Sequence, residues 1–146
     1  MMKGQSSLEV LVTVGIILAF TIPVVFLLLT LTSVGYEKTA TAQADAAARS
    51  LADTMNFVYS QGPGAKKMLL LNVPASTQEV FAADGEAVVR IKTASGTADD
   101  VSPTFAKISG ATQTTRDPAT GQQKTGLFIV VVQTDSNGEV EFVASP

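Results

Sequence analysis

VLVTVGIILAFTIPVVFLLLTL, residues 10–31, is the stretch on which the reading of this chain turns. As a helix rising about 1.5 Å per residue it extends roughly 33 Å. A bilayer hydrocarbon core is about 30 Å thick, so the run is long enough to cross one. No Asp, Glu, Lys or Arg falls between Glu9 and Glu37. No second run of this kind follows, so a single pass is expected. The remainder would lie outside if Lys3 and the starting amine stay in the cytoplasm. Three readings compete. The run is a plain anchor, or a secretory signal removed after it, or a helix kept in the mature chain behind a short leader. Ser33 and Gly35 offer small residues for the second, but a secretory core has only about 7–15 apolar residues.

The helix is expected to continue past the run. Residues 34–60 read VGYEKTATAQADAAARSLADTMNFVYS. Tyr36, Ala40, Ala44, Ala47, Leu51, Met55 and Val58 recur at spacings of three and four, which places them on one helical face. Alanine-rich composition favours helix, and Asp45 with Arg49 makes an i,i+4 pair. Gln61-Gly62-Pro63-Gly64 then stops it, because Gly suits the cap and Pro cannot continue a helix. One helix over about 7–60 is predicted, apolar all round in its first half and amphipathic in its second.

The residues before the run are Met1-Met2-Lys3-Gly4-Gln5-Ser6-Ser7-Leu8-Glu9. Lys3-Gly4 followed by Gln5, Ser7, Leu8 and Glu9 resembles the leader of archaeal type IV pilins, the group with a class III signal sequence. The pattern there is Lys-Gly, then Gln-x-Ser-x-Glu, before a long apolar stretch. The resemblance covers about the first 35 residues. It implies that a prepilin peptidase cuts between Gly4 and Gln5, so that Glu9 becomes the fifth residue of the mature chain, where these pilins carry their acid. Together with the periodicity and turn residues of the rest of the chain, it gives a leader (1–4), a membrane and filament-core helix (5–35), an amphipathic continuation (36–61) and a β-rich head (62–146). It also implies partners: further copies of the chain in a helical homopolymer, the peptidase, an extension ATPase with a membrane platform protein, and the membrane before assembly.

Glu9 has a purely structural reading as well. A carboxylate near the start of a helix is favoured by the dipole, and Ser6 three residues before Glu9 matches a capping box. The resemblance adds a partner. Cleavage before Gln5 frees an α-amine with a reference pKa near 7.7–8.0, which Glu9 would neutralise in its own or a neighbouring subunit. A subunit docked at the wrong axial offset would leave a buried charge unpaired, at a cost of about 3–5 kcal/mol, so the pair would set register together with Gln5 and Leu8. Cyclisation of Gln5 would delete the amine charge. Pro23 interrupts the helix ladder at the Ala19 carbonyl. It reads either as a tolerated kink in a membrane helix or as a flexible segment that adapts to packing. Gly15 would permit close helix approach.

Beyond Gly64 short β-rich runs alternate with turn residues. Strands are predicted over 67–73, 79–83, 87–93, 105–111, 125–134 and 139–144. Asp84-Gly85 and Asp135-Ser136-Asn137-Gly138 form hairpin turns. LFIVVV reads as a central strand buried on both faces. The expected architecture is α+β, with one antiparallel sheet of four to six strands on the amphipathic half of the helix.

With 146 residues the chain fits one domain plus a long helix. It has no cysteine and no histidine, so disulfides, the commonest zinc sites and His-based nucleophile arrangements are absent. A glycosidase-like pair of carboxylates remains, but no spacing points to one. No cofactor and no catalysis are expected. The net charge of −3 with scattered basic residues argues against nucleic acid, and Lys66-Lys67 is too small a patch for it. Asp99-Asp100 reads as a solvated loop pair. Asp135 to Glu139 lacks the length of a calcium loop and reads as a turn. The loop over 112–123, around Arg116-Asp117-Pro118, is long for a small domain and is a candidate contact surface. No N-glycosylation sequon occurs; the many threonines leave O-linked sugar open.

The expectation is a structural pilin, membrane-bound as a precursor and extracellular when assembled, serving surface adhesion. Its rivals are a minor pilin or pseudopilin, an archaellin, and a single-pass anchored binding domain that never polymerises. Archaellins generally lack the Glu of the Gln-x-Ser-x-Glu start, so Glu9 counts against that rival.

Overall fold

The computed structural model describes residues 3–110, 113–116 and 120–144. The fold is α+β, with one long helix followed, among the described residues, by seven antiparallel strands. The chain divides into two compact units, Met1–Tyr36 and Glu37–Pro146.

Helix α1 runs Lys3–Gln61 without a break, with Pro23 inside it. In the first unit every described side chain is exposed. Five of its hydroxyls do not need outside partners. Thr13, Thr21, Thr30 and Thr32 each donate from Oγ1 to the carbonyl four residues earlier at 2.7–2.9 Å, and Ser33 donates to the Thr30 carbonyl at 2.9 Å. Such back-bonding satisfies the side chain within the helix.

The second half of α1 carries the predicted stripe. Ala44, Ala47, Leu51, Met55 and Val58 are buried and Ala40 is half-buried. Ala48, Ala52 and Thr54 are buried too, so the stripe is wider than the three-four spacing suggested. Tyr36 is 75% exposed and does not belong to it. Beyond Gln61 the chain turns at Gly62 and Gly64, both at positive φ, which glycine adopts without strain.

The strands are β1 (Lys66–Val73), β2 (Thr77–Ala83), β3 (Glu86–Thr93), β4 (Gly96–Pro103), β5 (Gln113–Thr114), β6 (Gly126–Thr134) and β7 (Val140–Ala144). They form two sheets, not the single sheet expected: a three-stranded sheet ordered β1-β6-β7 and a four-stranded sheet ordered β4-β3-β2-β5. The Asp84-Gly85 turn has positive φ at both central residues, the geometry that suits a two-residue hairpin loop. The stripe on α1 shares one core with the inner faces of both sheets, including Leu71, Val73, Val80, Val89, Ile91, Val130, Val132, Val140 and Phe142.

Three expectations are corrected. β4 replaces the predicted loop at Asp99-Asp100. GTADDVSP has no apolar alternation, and it is a strand because all of its residues from Gly96 to Pro103 pair with β3. The predicted strand over 105–111 is instead a loop with one parallel bridge, Ile108 to Val140, in which Val140 N donates to the Lys107 carbonyl at 2.7 Å and Ser109 N to the Val140 carbonyl at 2.8 Å. Residue 111 lies outside the described residues. The β6 run is central in its sheet but is not buried on both faces: Leu127 and Ile129 are exposed while Val130 and Val132 are buried.

Polar contacts fasten α1 to the sheets. Asn56 Oδ1 accepts from Thr104 Oγ1 at 2.6 Å and from Phe105 N at 3.0 Å. Glu37 Oε1 accepts from Ala94 N, in the β3–β4 turn, at 2.6 Å. Lys67 places its ammonium 4.4 Å from the Phe57 ring centre, a cation–π contact across the start of β1.

Candidate functional site

The residues singled out at the amino terminus occupy the first turns of α1. The helix begins at Lys3, so Ser6 and Ser7 lie inside it and neither is its N-cap. This corrects the capping-box reading in the uncut chain. Lys3, Gly4 and Gln5 supply backbone to the first turn, whose N–H groups have no partner earlier in the helix. A terminal turn opens at little cost.

Leu8 and Glu9 lie in the second turn and are both exposed. Thr13 donates its hydroxyl hydrogen to the Glu9 carbonyl at 2.8 Å. Shallow hollows flank Glu9, lined on one side by Leu8, Val12 and Thr13 and on the other by Val10, Thr13 and Val14. The carboxylate therefore stands on an apolar surface with room beside it. Pro23 sits mid-run within continuous helix. An added Cβ at Gly15 or Gly35 would meet nothing within 4 Å, so intramolecular packing does not require either glycine.

The remaining candidates resolve into structural roles. Asp135 closes its turn: Oδ1 accepts from Asn137 N and from Glu139 N, each at 2.8 Å. No cluster of three or more potential metal ligands exists among the described residues. In the 112–123 loop, Arg116 bridges to Gln123 and its guanidinium donates to Glu79 at 3.0 Å. Residues 112 and 117–119, including Asp117 and Pro118, lie outside the described residues. Lys66 and Lys67 open β1.

Asp99 and Asp100 have opposite environments. Asp99 takes a two-pronged contact from Arg90, at 2.7 and 2.8 Å. That hydrogen bonding, more than the charge attraction, holds its carboxyl below the usual range. Arg90 also reaches Glu79 at 3.6 Å, and Glu79 reaches Arg116, so four charges form a ladder across the four-stranded sheet. Neither the ladder nor its register was visible in the sequence, because residues 79, 90, 99 and 116 share no local spacing. Asp100 Oδ2 is buried without a hydrogen-bond partner. Burial, and then the charges of Asp45 and Asp99, push its carboxyl pKa up.

A group with a folded pKa above its unfolded value of about 3.9 destabilises the fold when ionised. That penalty fades as pH falls through the raised value. Asp100→Asn is accordingly expected to raise the melting midpoint of the full chain in detergent by about 2–4 °C at pH 7, with the gain gone below about pH 4. Thermal unfolding at the two pH values checks this, and an unchanged or lowered midpoint at pH 7 contradicts it.

Taken together, these features define an α+β protein with one helix long and apolar enough to cross a membrane, the class in which any function has to be sought. No protein-family model, curated protein or solved structure matches the chain.

Proposed function

We propose that the chain is a pilin: a subunit inserted in a membrane by α1, cut between Gly4 and Gln5 by a prepilin peptidase, and polymerised through α1 into an extracellular type IV pilus-like filament that serves surface adhesion. The observation that carries this reading is the full exposure of the apolar run behind a Lys-Gly/Gln-x-Ser-x-Glu leader. Such a surface needs apolar neighbours on every side. Lipid supplies them first, and copies of the same helix supply them later. Repeating one head-to-tail contact with a rotation that does not close produces an open fibre. Lipid and helix surfaces are similarly apolar, so hydrophobicity alone drives extraction weakly; an assembly ATPase with its platform protein supplies the work. No cofactor and no catalytic group take part.

Amino-terminal sequencing of protein sheared from cells tests the cut and the polymer together. A product starting at Gln5 and retaining residues 10–31 is expected. A secreted product lacking that run, or an uncut monomer remaining in bilayer, overturns the reading.

A further inference from the structure

The two sheets turn opposite kinds of surface outward. The four-stranded sheet shows the Asp99–Arg90–Glu79–Arg116 ladder, with exposed Lys92 beside it. The three-stranded sheet shows an uncharged patch on β1 and β6, bounded at one end by Lys66 and Glu141 in the row of Gln133. In the register of β1 with β6, Met68 lies opposite Val131, Leu70 opposite Ile129 and Asn72 opposite Leu127. Residues directly opposite share a face. Met68 is 75% exposed, Leu127 64%, Leu70 59% and Ile129 42%. The first charge along β1 on this face is Lys66, opposite Gln133.

Exposed apolar side chains scattered singly need no explanation, but a contiguous group of them marks a contact surface. We propose that this face of β1 and β6 seats the apolar stretch of α1 from a second copy of the chain, which deepens the filament reading above and rests on it. The occupant follows from chemistry and size. Leu8, Phe20, Leu28 and Leu29 are exposed at differing azimuths around α1, so helices bundled only with one another would still show an apolar flank to water at the bundle's outside. That flank requires an uncharged apolar cover, and the outer face of β1 and β6 is one. Three register rows extend about 13 Å along the strands at roughly 3.3 Å per residue. Two adjacent strands with their side chains are about as wide as a helix, about 10 Å. The face thus covers two turns of a helix, and other copies cover the rest. Phe57 and Phe105, the other large exposed side chains of the second unit near α1, are engaged by Lys67 and Tyr59 respectively.

The absence of native cysteine makes an introduced pair unambiguous. Leu127→Cys in the full chain is combined with a second cysteine walked singly through residues 8–36. Sheared filaments are oxidised and separated without reductant. A ladder of cross-linked multimers is expected at helix positions recurring every three to four residues, with monomer only for either single variant. Wild-type filament yield with no cross-link at any position overturns this contact alone. Dimers from Leu127→Cys by itself also overturn it, since heads would then meet face to face. Failure of the unmodified chain to form any polymer overturns both this contact and the filament reading.

Discussion

Glu9→Val is expected to leave the chain inserted and cut before Gln5, yet to lower filament yield at least tenfold. The carboxylate is exposed on an apolar helix surface in the isolated chain, so the single molecule loses little when it is removed. The loss arises when copies pack. In the proposed filament each cut subunit brings an α-amine with a reference pKa near 7.7–8.0 into a helix bundle that excludes water. A buried charge stripped of its partner costs about 3–5 kcal/mol, and a tenfold change needs only about 1.4 kcal/mol. Immunoblots of membranes report insertion and cleavage, and the mass of sheared filament reports assembly. Mass spectrometry of the mature chain separates a free amine at Gln5 from a cyclised one, which carries no charge for Glu9 to meet. Normal yield from a chain with a free amine removes Glu9 from the assembly mechanism.

Leu51→Ala is expected to lower the stability of the second unit by about 2–5 kcal/mol. Leu51 is 0% exposed and belongs to the core that both sheets share with α1. The lost methyl groups leave both a transfer penalty and a cavity, since the surrounding core relaxes only partly. Leu70→Ala, on the outer face of β1, provides the contrast: a change within about 0.5 kcal/mol is expected of a surface site. Unfolding of the full chain in detergent, followed through its β-sheet signal, measures both. Equal effects from the two substitutions would place the core elsewhere.

The sequence is most legible where one physical period dominates. The apolar run, its continuation, and the stop at Gln61-Gly62-Pro63-Gly64 all follow from composition and helical spacing, and α1 ends at Gln61. Hairpins around Asp84-Gly85 and Asp135 to Gly138 follow from turn chemistry. What escapes is set by partners distant in the chain. β4 has no apolar alternation and owes its conformation to β3. The division into two sheets depends on which strand β6 joins, and its partner β1 lies some sixty residues earlier. Tyr36 fits the periodic stripe but lies outside the covered part of α1, because spacing identifies a face without telling where its cover begins. Of the candidate site, the residue types at Lys3, Gly4, Gln5 and Glu9 were legible at once. The start of α1 at Lys3 was not, since Ser6 and Ser7 carry the stronger capping preference.

The three hydroxyls of the apolar run and the two that follow it at Thr32 and Ser33, all bonded to carbonyls of their own helix, make those positions indifferent to what surrounds them. Exchanging one greasy environment for another breaks no hydrogen bond at these positions and strands no donor midway. In the proposed filament, transfer of these positions from lipid to neighbouring helices is then opposed by contact rearrangement alone. On the proposed reading, a subunit returned to the bilayer would carry the same hydrogen bonds at these positions as one that had never left.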